Sequence, residues 1–136
     1  MRVGCLILAR LLAAGEQGAF ASRVRKDVEP LLSRRWAGTE LSERLNGALA
    51  AVESEGSVAH LPGKTKRAVP RIVLTAEGRR RVLESLGVAA LPPRTTWASL
   101  RKTYLPAMAL GLPASSEAAF KAMSSDPVFR AVLLSR

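Results

Sequence analysis

Apolar positions recur at two different periods along this chain, and the change of period marks out its elements. From Val3 to Ala14 nearly every position is apolar, with Leu6, Ile7, Leu11 and Ala14 on one helical face. That pattern predicts a mostly buried first helix, stopped by Gly15 and Gly18. Val24, Val28, Leu31 and Leu32 form the stripe of a second helix, which Ser22 can cap. Pro30 falls inside that helix and is expected to break, kink or restart it, because proline lacks the amide hydrogen and clashes with the preceding turn. Leu41, Leu45, Leu49 and Val52 recur at helical spacing in a third helix. Thr39 is its expected N-cap, Glu40 suits its positive first turn, and Gly56 stands just past its end.

The period then drops to two. "SVAHL" (57–61) alternates as a short strand, "PGKTKRAVP" (62–70) is a polar basic loop, and "RIVL" (71–74) is a second short strand. The two strands are expected to pair as a hairpin. Helical spacing returns with Thr75 as N-cap, Glu77 in the first turn, Val82, Leu83 and Leu86 as the inner stripe, and Gly87 as the stop. "VAALPPRT" (88–95) has the composition of a linker. Thr95 or Thr96 then caps a short helix in which Trp97, Leu100, Tyr104 and Leu105 share a face, and Pro106 ends or bends it. "SSEAAFKAMSS" (115–125) reads as another short helix, and Asp126-Pro127 as the start of a last one. The expected organisation is a first unit over residues 1–88, a linker at about 87–95 and a helical extension over 89–136.

Composition favours the helical reading. The 136 residues are 48% hydrophobic but only 4% aromatic, so the core must be built from Leu, Val and Ala. The net charge of +10 changes the picture more, because a surplus of that size attracts polyanions. Nucleic acid is the commonest soluble one; an acidic protein or an anionic membrane surface would also answer. Both parts share the surplus: residues 1–88 carry 15 Lys/Arg against 9 Asp/Glu, and residues 89–136 carry 6 against 2. The tail is therefore no acidic counterweight to the rest.

Candidate chemistry is sparse. Cys5 is the single cysteine and His60 the single histidine, too few for an internal disulfide or a zinc site. Cys5 is expected as a small buried hydrophobe and His60 in a structural role within a strand. Gly63-Lys64-Thr65 lacks the first glycine of a phosphate-binding loop and lies in a hairpin. No acid–base set is apparent, so the chain is expected to be no enzyme and to need no cofactor or metal. The opening "MRVGCLILARLLAAGEQGAFA" imitates a secretory signal, but Arg10 interrupts its apolar run, and no stretch has the apolar length of a membrane span. A cytoplasmic location without membrane association is the expectation.

The order helix, helix, helix, strand, basic loop, strand, helix, together with "ALAAVESEGSVAHLPGKTKRAVPRIVLTAEGRRRVLESLG" (Ala48–Gly87), resembles the winged helix-turn-helix superfamily. The string "LTAEGRR" is similar to the exit from the wing in small regulators of the MarR and PadR types. The resemblance covers residues 3–87. It implies a fold that is mainly α with a small β-hairpin wing, here followed by a C-terminal helical extension. It also implies duplex DNA binding, with the third helix in the major groove and the wing at a flanking phosphate or the minor groove.

Position by position, the expected DNA contacts are Lys64, Lys66, Arg67 and Arg71 on the wing, Arg23, Arg25 and Lys26 on the second helix, and Arg79 and Arg80 near the wing base. Arg81 is expected to be merely solvated. On the third helix Asn46 could pair with adenine and Arg44 with guanine. Glu40, Glu43, Glu53 and Glu55 count against that helix meeting phosphates, and its Gly47/Ala50 strip could instead admit a protein.

The extension carries Trp97, Tyr104, Leu105, Phe120, Phe129 and Leu133, an apolar set to be buried by homodimerisation, by another protein or against the domain itself. The leading expectation is a small transcriptional regulator. The alternatives are a winged-helix interaction subunit of a larger, possibly nucleic-acid-associated assembly, and a basic RNA-associated subunit.

Overall fold

The computed structural model describes residues 3–32, 36–63, 69–102 and 105. Its elements are α1 (Val3–Ala14), a 3-10 turn (Gly15–Gln17), α2 (Ala21–Leu32), α3 (Gly38–Ser54), β1 (Val58–Leu61), β2 (Arg71–Leu74), α4 (Ala76–Leu86) and α5 (Trp97–Lys102). The architecture is mainly α with one small antiparallel hairpin, in the order the hydrophobic periods predict, and it is compatible with a winged helix-turn-helix. Among the described residues no helix is long and apolar enough to cross a membrane.

Helix α1 is the centre of the core. It touches α2, α3, α4, α5 and β2, which is why its sequence is apolar on nearly every side. Leu6, Ile7, Leu8, Ala9, Leu11 and Leu12 are all buried. Arg10, the residue that breaks the apolar run, is satisfied inside the fold: its Nε donates to Oδ2 of Asp27 on α2 at 2.7 Å, with both side chains mostly covered.

Several boundaries differ from expectation. Helix α2 begins at Ala21, because the Phe20 carbonyl accepts from the amides of Arg23 and Val24, so Ser22 lies in the first turn and is not the cap. The helix runs through Pro30 to Leu32. Lacking an N–H, Pro30 leaves the Lys26 carbonyl without its helical partner, and α2 ends two residues further on. Helix α3 begins at Gly38 with extended Ala37 as its cap and no side-chain bond, which leaves Thr39 inside the first turn. Elsewhere the cap chemistry matches. Thr75 Oγ1 accepts from Gly78 N at 3.1 Å, Thr96 Oγ1 accepts from Ser99 N at 3.1 Å, and Gly87 closes α4 in the left-handed region at φ 73°.

The hairpin pairs Val58 with Leu74, Ala59 with Val73, His60 with Ile72 and Leu61 with Arg71. A third segment joins it: Ala19 and Ile72 exchange backbone hydrogen bonds at 2.9 and 2.8 Å. That bridge presses the chain at Gly18 onto β2 so closely that a Cβ there would overlap the Ile72 carbonyl. The same holds for Gly78, whose position would drive a Cβ into the Ser57 carbonyl. These two glycines let the α1–α2 connection and α4 close on the hairpin.

Past the linker, Leu100 and Leu105 are fully buried in the common core, and Trp97 packs on it half-buried. Three expected members of the extension's apolar face are therefore set against the domain. Tyr104, Phe120, Phe129 and Leu133 lie outside the described residues.

Candidate nucleic-acid interface

The amphipathic pattern of α2 buries Val24, Val28, Leu31 and Leu32 and so turns Ser22, Arg25, Lys26 and Glu29 to one side. The stripe of α3 does the same for Ser42 and Asn46. The two helices meet so that these six residues rim a shallow recess of about 240 Å³. Across it Arg25 Nη1 donates to Asn46 Oδ1 at 2.9 Å. Two residues assigned to DNA from different helices are thus in contact. Arg23, two positions before Arg25 on α2, does not line the recess; it is exposed, with its Nε 3.4 Å from Asp27 Oδ2.

Arg44 goes the other way. Its guanidinium lies 4.9 Å from the centre of the Trp36 ring and 3.8 Å from Glu40 Oε1. It lines a groove between α1, α3 and α4 rather than the recess that holds Asn46. Arg44 and Asn46, each expected at a base edge, therefore do not share a face, because the two are two positions apart on a helix and point to different sides.

The acidic balance of α3 also looks different in three dimensions. Glu40 faces Arg44, Glu53 accepts His60 Nε2 at 2.6 Å, and Glu55 lies 3.6 Å from Arg81 Nη1. Three of the four glutamates that count against nucleic acid are thus matched by cations or a histidine of the same chain. Glu43 alone has no side-chain partner among the described residues, on an outward strip with Gly47, Ala50 and Ser54.

Arg71 leads into β2, and its guanidinium stacks 5.2 Å from the centre of the Phe20 ring, just ahead of α2. This half-exposed aromatic, 41% accessible, carries the cation at the junction of hairpin and second helix. Nothing in the linear pattern singles out Phe20. Lys64, Lys66 and Arg67 lie outside the described residues.

The three successive arginines of α4 have three different roles. Arg80 is held on its own helix between Glu77, which accepts at 2.6 and 3.2 Å, and Glu84, which accepts at 2.9 Å. The Glu77 carboxyl is held below the usual carboxylate range, chiefly by the hydrogen bond from Arg80; desolvation opposes it, and the charges of Arg80 and Arg81 and the hydrogen bond from Arg81 add to it. The same hydrogen bond raises the Arg80 guanidinium above its ordinary value. Arg81 is not merely solvated: it bonds Ser57 Oγ at 2.9 Å, the Glu55 carbonyl at 3.3 Å and Glu77 at 3.1 Å. Only Arg79 has no side-chain partner among the described residues, and it borders a shallow groove with Leu11, Glu16 and Val73. Of the two arginines assigned to a phosphate here, Arg79 is free to meet one and Arg80 is engaged.

The groove between α1, α3 and α4 is larger, about 590 Å³, and is lined by Leu8, Trp36, Ala48, Ala51 and Val52 with Arg44, Glu55, Arg81 and Glu84 among its charged residues. Among the described residues no group of three or more His, Cys, Asp or Glu side chains converges as a metal site would require. Comparison with protein-family models, with curated proteins and with solved structures finds no match for this chain.

Proposed function

We propose that this protein binds duplex DNA as a winged helix-turn-helix, in the manner of a small transcriptional regulator and without catalysis. The observation that carries the reading is the shared recess of α2 and α3, where Arg25 and Lys26 stand beside Ser42 and Asn46, with Arg25 bonded to Asn46 at 2.9 Å. Cations for the backbone and amide and hydroxyl groups for base edges are the two kinds of contact such an interface needs. Two further features support it. The loop of residues 62–70 contributes Lys64, Lys66 and Arg67 with no acid among them, and Glu40, Glu53 and Glu55 are locally matched.

The test is retention of random duplex DNA as salt is raised. Affinity falls steeply between about 50 and 200 mM salt if several phosphates are neutralised. Replacing Arg25 and Lys26 together by Ala lowers the log–log salt slope by about one to two, and replacing Lys64, Lys66 and Arg67 lowers it further. A flat salt response, or no retention, refutes the reading.

A second reading is favoured by the groove beside Trp36, whose apolar floor and charged rim suit a protein segment and would make the chain an interaction subunit. Substituting Ala48 by Glu would then abolish assembly with the partner and leave DNA retention unchanged. Self-association is a separate matter. Leu100 and Leu105 are already spent in the chain's own core, so a dimer through the extension would use Phe120, Phe129 and Leu133, and light scattering of an F129E variant would read it.

A further inference from the structure

We infer that the Arg25–Asn46 pair selects guanine over adenine, an inference that rests on the duplex-DNA reading above. A guanidinium has only N–H donors and no acceptor. The edge of the Asn46 amide that meets Arg25 at 2.9 Å is therefore the oxygen, and this assignment follows from hydrogen-bond chemistry alone. The bond occupies one of the oxygen's two lone pairs and sets a guanidinium against the other. The groups the pair is best placed to offer a ligand are the Asn46 NH2 and the remaining N–H groups of Arg25, all of them donors.

An unpaired asparagine reads adenine by using both halves of its amide: the oxygen accepts from the N6 amino group while the nitrogen donates to N7. Here the oxygen is engaged, and a positive charge sits against it. An approaching adenine amino group, itself a donor with positive hydrogens, would be repelled. Guanine presents two acceptors, N7 and O6, on the same edge. A donor-only pair complements that edge.

Glu29 strengthens the match. It lies one turn beyond Arg25 on α2, rims the same recess, and has no side-chain partner among the described residues. A carboxylate accepts from the N4 amino group of cytosine. Donors and acceptor in the recess together complement a G·C pair. Lys26 between them serves a phosphate and reads no base.

The experiment selects bound sequences from a random duplex library with the full chain, then measures direct competition between duplexes that differ at the selected position. The wild type enriches guanine at one position, and the guanine duplex outcompetes its adenine counterpart by about tenfold. Arg25→Ala frees the Asn46 oxygen and moves the preference at that position to adenine. The double variant R25A/N46A binds more weakly overall and has no preference there, read as the competition ratio of the two duplexes. Both substitutions are on the surface, and circular dichroism checks that helix content is unchanged. Salt-dependent binding with no guanine enrichment overturns this inference and leaves the duplex-DNA reading standing, as does a guanine preference that R25A does not alter. No retention of duplex at any salt overturns the duplex-DNA reading and this inference together.

Discussion

Arg81 donates from Nη1 to the hydroxyl of Ser57 at 2.9 Å, and Ser57 is the one fully buried polar residue in the described core. The bond joins α4 to the turn between α3 and the hairpin. The Ser57 carbonyl is used as well, accepting from the Thr75 amide at 3.0 Å, while Thr75 Oγ1 donates to the Gly56 carbonyl at 2.6 Å. The hairpin root is thereby fixed to the end of α3 from both sides. An arginine that looks like a solvated surface charge is part of what sets the angle between hairpin and third helix.

Removing that arginine leaves a buried hydroxyl without its donor. Arg81→Ala is expected to cost roughly 1–3 kcal/mol, read as a lower midpoint in urea with an unchanged slope. Arg79→Ala, two positions away with no partner to lose among the described residues, should stay within about 0.5 kcal/mol of the wild type. Equal effects of the two would contradict the assignment.

Gly78 and Gly47 both lie inside helices but face opposite circumstances. A Cβ at Gly78 would overlap the Ser57 carbonyl, whereas nothing lies within 4 Å of one at Gly47. Gly78→Ala should therefore destabilise by about 1–3 kcal/mol, as overpacking against rigid backbone does. Gly47→Ala should stabilise by about 0.5–1 kcal/mol through helix propensity. Thermal melts of the two variants beside the wild type would separate these signs.

Asp27 holds Arg10 at 2.7 Å between α1 and α2, with side-chain exposures of 19% and 14%. Truncating the carboxylate leaves a mostly covered cation uncompensated. Asp27→Ala is expected to lose roughly 2 kcal/mol, and the double variant with Arg10→Met to recover a good part of it. A double-mutant cycle by chemical denaturation measures the coupling.

Glu77 gives a pH dependence with a definite sign. Its pKa is lower in the folded chain than in the unfolded one. The stability it contributes is present above the unfolded value, about 4.3, and disappears as pH falls through the folded value. The difference in melting temperature between wild type and Glu77→Gln should therefore be largest near neutrality and shrink toward zero in acid. A difference that grew on acidification would contradict the Arg80–Glu77 geometry.

Much of the architecture was legible in the order of residues alone, because the relevant forces act over one helical turn or one strand repeat. The stripe of Leu41, Leu45 and Val52, the alternation around Val58, and the Thr75 and Gly87 caps each depend on neighbours a few positions away. The same locality explains why Ser22 and Thr39, the expected N-caps, lie two residues beyond the observed ones. Either residue could cap, and the choice fell to the backbone of Phe20 and Ala37.

The pairs one turn apart, Arg80 with Glu77 and Glu84 and Arg44 with Glu40, are local; the roles of the other charged residues are decided by the fold. Arg79, Arg80 and Arg81 are identical in sequence terms, yet one is unpartnered among the described residues, one is tied to its own helix and one anchors the hairpin root, because successive positions on a helix point about 100° apart and meet different neighbours. Arg25 and Asn46 are separated by 21 positions, and no local pattern brings them together. Their contact comes from the packing of α2 on α3, the pairing of Glu53 with His60 and of Glu55 with Arg81 from the closing of the hairpin and α4 on the end of α3, and the Ala19–Ile72 bridge from the α1–α2 connection meeting β2, whereas Glu40–Arg44 is a local pair one turn apart. Sequence determined which faces are apolar and hence that these helices must pack; tertiary structure decided which polar groups that packing leaves side by side.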